Sequence, residues 1–104
     1  IHVNDIAQAH LLAMNYLAKG GKSESFNMGN GQGFSVLEVL KTAEQVTKKK
    51  IPVKFGPRRA GDPPSLISSS ERCRSVLGWK PRHAALEEIV ETAWRWHRKL
   101  ISLR

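Results

Sequence analysis

Residues 57–64 combine two adjacent arginines, a glycine and an aspartate with three prolines, a composition suited to binding phosphate. An arginine guanidinium can donate two parallel hydrogen bonds to a phosphate, which a lysine ammonium cannot do. The prolines restrict the loop, so less conformational entropy is lost when a ligand binds. Asp62 could orient an arginine or accept a hydrogen bond from a sugar hydroxyl. From the residues alone, a surface turn with solvated arginines is equally compatible with this loop.

A second candidate is the glycine cluster at residues 29–33, which lies between a predicted strand and a predicted helix, where phosphate-binding loops occur. Its glycines, however, are evenly spaced by two at Gly29, Gly31 and Gly33, unlike the Gly-x-Gly-x-x-Gly fingerprint. No Gly-Lys-Ser follows. The cluster therefore predicts a tight connection and not a nucleotide site.

The remaining reactive side chains are scattered. His2, His10, His83 and His97 form no set with metal-ligand spacing, and Cys73 is predicted to be a small buried residue. His97 falls on the apolar face of the last predicted helix, which favours a core or subunit-contact role. No triad or carboxylate pair is suggested by spacing, so the sequence predicts no catalytic residue and no metal site.

Alternating strands and helices are predicted to position these groups. Strands are expected near residues 1–3, 25–28 and 51–55, and helices over residues 5–19, 35–47 and 68–77, with an amphipathic helix from Leu86 onward. This order predicts an α/β fold.

The helix ends carry their own signals. Asn4 or Asp5 is the expected N-cap of the first helix. Ser35 with Glu38, and Ser68 with Glu71, each have capping-box spacing. Gly78 is expected to end the third helix. Trp94 and Trp96 cannot both face inward on the last helix, so one of them is expected to cover a partner surface.

Composition narrows the class of protein. The chain has 104 residues, of which 40% are hydrophobic and 25% charged, typical of a globular protein. No apolar run is long enough for a membrane helix, and one cysteine cannot form an internal disulfide. The chain begins at Ile1 without a leader-like segment, which predicts a cytoplasmic piece of a longer protein.

The balance of charge is basic, with a formal net charge of +8 and a pI of about 10.2. Such a balance favours anionic partners. The densest run is Lys48, Lys49 and Lys50, where cations also complement a helix end. Because the aromatic residues do not interleave with the basic ones, nucleic acid is not the favoured partner.

Five segments together resemble UDP-glucose 4-epimerases. They are residues 1–10 (IHVNDIAQAH), residues 26–31 with 34–39 (FNMGNG and FSVLEV), residues 57–63 (PRRAGDP), residues 76–81 (VLGWKP) and the closing helix. Their order and spacing cover essentially the whole chain.

This resemblance implies the C-terminal, substrate-binding part of an extended Rossmann-type enzyme of the short-chain dehydrogenase class. Residues 1–33 would supply a helix and a strand that return to the dinucleotide-binding domain, and residues 34–104 would form the UDP-sugar domain. Arg59 would contact the diphosphate and Asp62 the ribose. Ala60 and Gly61 would complete the loop, and Leu66 would lie near the sugar.

The resemblance also implies an NAD-dependent isomerase of galactose metabolism that interconverts UDP-glucose and UDP-galactose by reversible oxidation at C4 of the sugar. The motifs that hold NAD and carry catalysis are absent from this chain, so it is expected to be inactive alone and to self-associate through exposed strand edges. The full-length enzyme is expected to be a homodimer. Another nucleotide-sugar epimerase or dehydratase, a basic nucleic-acid-binding module and a ligand-free interaction domain remain alternatives.

Overall fold

Four α-helices form the secondary structure of residues 1–103, the part of the chain that the computed structural model describes. They are α1 (Val3–Ala18), α2 (Val36–Thr47), α3 (Glu71–Leu77) and α4 (Leu86–Ser102). None of these helices is long and apolar enough to cross a membrane.

The chain divides into two compact units. The first contains Ile1–Gly33 and Ile67–Ala85, hence α1 and α3, and the second contains Phe34–Leu66 and the chain from Leu86 onward, hence α2 and α4. Residues 67–85 thus pack with residues 1–33. The assignment of residues 1–33 and 34–104 to two domains of a complete enzyme stays a prediction.

The core of the first unit is built around Trp79, which is fully buried. Cys73 and Ala9 are buried with it, so the prediction for Cys73 is confirmed. Four partly buried apolar side chains pack against this cluster: Leu12, Phe26, Met28 and Leu77. The apolar face that α1 presents to this core therefore meets residues more than sixty positions later in the chain.

Asp5 ties the start of α1 to the segment after α3. Its carboxylate accepts hydrogen bonds from the backbone N–H groups of Arg82, at 2.9 Å, and His83, at 3.0 Å. Its carbonyl oxygen accepts from the Trp79 indole N–H at 2.9 Å. The buried charge of Asp5 is thus compensated by hydrogen-bond donors that a nonpolar core would lack.

The predicted N-caps of the first unit are wrong. The cap of α1 is His2, whose ring Nδ1 accepts from the Asn4 N–H at 3.1 Å, because the Asp5 carboxylate is used elsewhere. The cap position of α3 is Ser70. Its hydroxyl donates to the Gly29 carbonyl oxygen at 3.0 Å, so Ser68 and Glu71 form no capping box.

The three predicted strands are also corrected, since no described residue lies in a β-strand. Val3 already belongs to α1. Phe26 and Met28 pack toward the core while Ser25 and Asn27 are exposed, but residues 25–28 and 51–55 lack a paired strand. A strand requires backbone hydrogen bonds to a neighbouring strand, and none of the described segments supplies one.

The second unit pairs α2 with α4 and begins with a confirmed capping box. The Ser35 hydroxyl accepts from the Glu38 N–H at 3.1 Å, and the Glu38 carboxylate accepts from the Ser35 N–H at 2.7 Å. Helix α2 ends at Thr47 and α4 begins at Leu86, both as predicted. Among the described residues of this unit, however, only Thr42 is buried.

The amphipathic helix α4 is confirmed, but the environment of its last turns differs from the prediction. Trp94 is half-buried and Trp96 is 58% exposed. His97 is exposed and stacks on Trp94, with 5.6 Å between ring centroids, so a core position is wrong and a subunit contact stays a prediction. The sequence pattern marks an apolar face, and the described residues leave much of that face uncovered.

Candidate functional site

The loop around Arg59 is closed by three hydrogen bonds. The Arg59 Nε–H donates to the Asp62 carboxylate at 2.9 Å, and the Asp62 N–H donates to the Arg59 carbonyl oxygen at 3.4 Å. An Arg58 terminal nitrogen donates to the Asp62 carbonyl oxygen at 3.0 Å. Asp62 therefore contacts both arginines, which the sequence predicted only as a possibility.

Gly61 makes the turn possible because its φ is +88°. A four-residue turn whose third residue has positive φ selects glycine there, since a side chain at that φ is strained. Ala60 occupies the second position, where no positive φ is recorded. The sequence Arg-Ala-Gly-Asp thus specifies the local backbone that brings Arg59 and Asp62 together.

The loop is open to solvent. The Arg59 side chain is 84% exposed and that of Asp62 46%. The Asp62 contact uses Arg59 Nε, so the two terminal nitrogens lie outside that contact and can face a ligand. Leu66 is 89% exposed and presents an apolar surface downstream of the charged turn. Two guanidinium groups beside one carboxylate favour a phosphate-bearing ligand with a hydroxyl-bearing neighbour.

The glycine cluster, in contrast, is packed and cannot cradle a dinucleotide. A Cβ on Gly29 would meet the Ser68 carbonyl oxygen at 2.5 Å, and one on Gly33 would meet the Ile67 side chain at 2.5 Å. At the following helix, the Ser35–Glu38 capping box already uses N-terminal backbone donors that a phosphate would need. The predicted tight connection agrees with this geometry, and the glycine cluster does not fit a dinucleotide.

Two titratable groups depart from their ordinary behaviour. Hydrogen bonds from the Ser35 backbone and side chain hold the pKa of the Glu38 carboxyl below its usual range. Burial raises the pKa of the Cys73 thiol. Since a raised pKa disfavours the thiolate, Cys73 is a poor nucleophile. No group of three or more potential metal ligands occurs among residues 1–103.

The buried Asp5 cluster is the main feature that sequence reasoning missed. It brings Asp5, Trp79, Arg82 and His83 together across more than seventy residues. The available signal in the sequence was that residues 1–10 and residues 76–81 are both motifs of the resemblance and occur in the same chain. The hydrogen bonds of the cluster hold the backbone of Arg82 and His83 against Asp5, while the Arg82 side chain is exposed.

No family model matches the chain. It is 55% identical over 97 residues to the UDP-glucose 4-epimerase of Lacticaseibacillus casei, covering 93% of this chain and 29% of that protein. The chain thus spans about 30% of the length of the curated relatives it matches.

Solved structures of UDP-glucose 4-epimerases are also similar to this chain. The UDP-glucose 4-epimerase of Stenotrophomonas maltophila, with bound NAD and formylated UDP-arabinopyranose, superposes with a TM-score of 0.90 at 36% identity, covering 100% of this chain and 31% of that one. The enzyme of Bifidobacterium longum, in complex with NAD+ and UDP, gives 0.80 at 30% identity, covering 95% and 29%. These similarities support the predicted relation to proteins of the Rossmann-type fold class.

Proposed function

Because this chain corresponds to one segment of the UDP-glucose 4-epimerase family, we propose that it forms the UDP-sugar-binding part of an NAD-dependent enzyme interconverting UDP-glucose and UDP-galactose. The observation that carries this proposal is the Arg59–Asp62 turn, which lies within a chain similar to these enzymes over nearly its whole length. The presence of UDP and a UDP-sugar in two related structures supports the same ligand class.

Each residue of the loop has a role in this proposal. Arg59 donates to the diphosphate of UDP through its terminal nitrogens while Asp62 holds the guanidinium through Nε. Asp62 also accepts a hydrogen bond from a ribose hydroxyl. Gly61 and Ala60 set the backbone of the turn, and Leu66 contributes an apolar surface close to the sugar.

The chain's contribution to the reaction is to bind and orient the nucleotide. The reaction is reversible oxidation at C4 of the sugar, and the NAD that it requires is held by residues outside this chain, since the glycine cluster does not fit it. The 104-residue chain is therefore inactive by itself. A homodimeric full-length enzyme and a cytoplasmic location stay predictions.

The test is Arg59→Ala in a complete epimerase that contains this segment. Loss of a charged hydrogen bond to phosphate should raise the Kd for UDP about 10- to 100-fold, measured by isothermal titration calorimetry. NAD retention, measured by absorbance after gel filtration, should not change. An unchanged Kd for UDP would remove Arg59 from the site.

The chain offers a matched control in Arg72→Ala. Arg72 is also an exposed arginine, at 66%, and it is also paired with a carboxylate, that of Glu24. Its removal should leave the Kd for UDP within about twofold, since exposed pairs contribute little and it lies outside the loop. Equal losses in both variants would indicate an effect of overall charge.

A further inference from the structure

The second unit contains a basic groove between the C-terminal end of α2 and the C-terminal half of α4. The cavity there has a volume of about 600 Å³, within the range of ligand pockets. A second cavity of about 440 Å³ shares Trp94 and Arg98 with it. We define the basic groove by six of the residues that line these cavities: Lys48, Lys49, Trp94, Arg95, Arg98 and Lys99.

Positive charge in the basic groove is largely uncompensated. Among the described residues that line either cavity, Glu91 is the one that carries a carboxylate, and it is paired with Arg95. Among the described residues, Lys48, Arg98 and the other two lysines have no ion pair. Their mutual repulsion is a cost that a bound anion would relieve.

Neutralisation of helix dipoles does not account for this excess. The basic groove lies at the last turns of two helices, and each helix end carries roughly half a negative charge. Together these ends offset about one positive charge, whereas five cations and one carboxylate line the two cavities. The remaining charge is available for a ligand.

The aromatic wall of the basic groove argues for phosphates and against nucleobases. The Lys49 ammonium lies 5.6 Å from the Trp94 ring centroid, and the His97 ring stacks on the same indole. With these neighbours in place, Trp94 is not presented as a stacking platform, which nucleic-acid sites without sequence preference use.

We propose that the basic groove binds a linear polyphosphate chain. The two arginines can each fork onto a phosphate, and the lysines supply further point charges along the same wall. None of the residues of the basic groove belongs to the loop at residues 57–66, so this site is separate from the proposed UDP contacts.

The test compares two double variants of the 104-residue chain that remove the same charge. Lys48→Gln with Arg98→Gln alters the basic groove, whereas Lys41→Gln with Lys54→Gln alters exposed lysines that do not line it. Binding of sodium tripolyphosphate is measured by calorimetry at low salt. The first variant should raise its Kd about tenfold and the second less than about twofold. Equal weakening would overturn the proposal.

Two further measurements address folding and ligand class. Lys48→Arg with Arg98→Lys keeps the charge and should keep the Kd within about threefold, and circular dichroism checks helix content in every variant. An oligothymidylate of equal charge should bind more weakly than polyphosphate, because it spreads its charge over a longer chain. Tighter binding of the oligonucleotide, or no binding of tripolyphosphate by the unmodified chain, would overturn the proposal.

Discussion

The two units differ in how completely they bury their own side chains. The first encloses Trp79, Cys73 and Asp5 almost fully, with backbone hydrogen bonds to the buried polar atoms of Asp5. The second buries only Thr42 among its described residues, and leaves many large apolar side chains exposed: Phe34, Val36, Leu37, Val39, Val53, Phe55, Leu66, Trp96, Leu100, Ile101 and Leu103. The second unit carries the candidate loop.

This contrast indicates where stability originates. Burial of apolar area is the main stabilising contribution in folding, so the first unit should contribute most of the stability of the isolated chain. The second unit should gain stability when further protein surface covers its apolar residues. The same substitution placed in each unit therefore tests the contrast directly.

The largest difference is expected between Trp79→Ala and Trp96→Ala. The first removes a fully buried indole and its hydrogen bond to Asp5, and should lower the free energy of unfolding by about 3–5 kcal/mol. The second removes an exposed indole and should change it by less than about 0.5 kcal/mol. Urea denaturation followed by circular dichroism measures both. Similar losses would contradict the contrast.

A smaller difference is expected between Asp5→Asn and Asp62→Asn. An asparagine at position 5 keeps one acceptor but turns its N–H₂ group toward a backbone N–H donor. This should lower the free energy of unfolding by about 2–3 kcal/mol. At position 62 the ion pair with Arg59 is exposed, so the expected loss is below about 1 kcal/mol. Hydrogen exchange at α1 amides reports the first loss, and unchanged protection there would show that Asp5 is dispensable.

Gly29→Ala and Gly56→Ala form the third pair. The new methyl at position 29 would lie 2.5 Å from a backbone oxygen, so the chain must shift, at a cost of about 1–2 kcal/mol. At position 56 it would meet no atom within 4 Å, and stability should change by less than about 0.5 kcal/mol. Urea midpoints of the two variants should separate accordingly, and coincident midpoints would refute the close approach.

The smallest expected effect is the pH dependence of the capping box at the start of α2. Since the pKa of Glu38 is lowered by folding, its contribution is present above the unfolded glutamate pKa of about 4.3 and is lost as the pH falls through the lower folded value. Backbone NMR shifts near Ser35 should therefore move in this acid range. Glu38→Gln keeps a capping acceptor without titrating, so this pH dependence should disappear. Its persistence would exclude Glu38 as the cause.

Local signals in the sequence predicted local structure well. The capping box of Ser35 and Glu38, the end of α3 at Gly78 and the burial of Cys73 are confirmed. A contact between Asp62 and an arginine of the loop was one of two possibilities considered from the sequence, and Asp62 does contact Arg59. Except for the burial of Cys73, each of these features joins residues that are only a few positions apart in the chain. At such short separations, backbone geometry determines which residues come into contact.

Features that depend on distant partners were not predictable. Nothing near Asp5 in the sequence reveals donors at Arg82 and His83, and so the wrong residue was expected to cap α1. The apolar residues of α4 mark one face of the helix, but they do not specify which residues cover that face. Trp96 is exposed in the structure. Predicted strands failed for the same reason, since a strand exists only with a neighbour.

The long span of the Asp5 and Trp79 contact has a consequence for synthesis of the chain. The two residues are 74 positions apart, so a ribosome adding about 5–20 residues per second needs about 4–15 s to supply the second after the first. During that interval α1 has no Trp79 or Cys73 to pack against. Its apolar face is then available to a chaperone or to a neighbouring nascent chain.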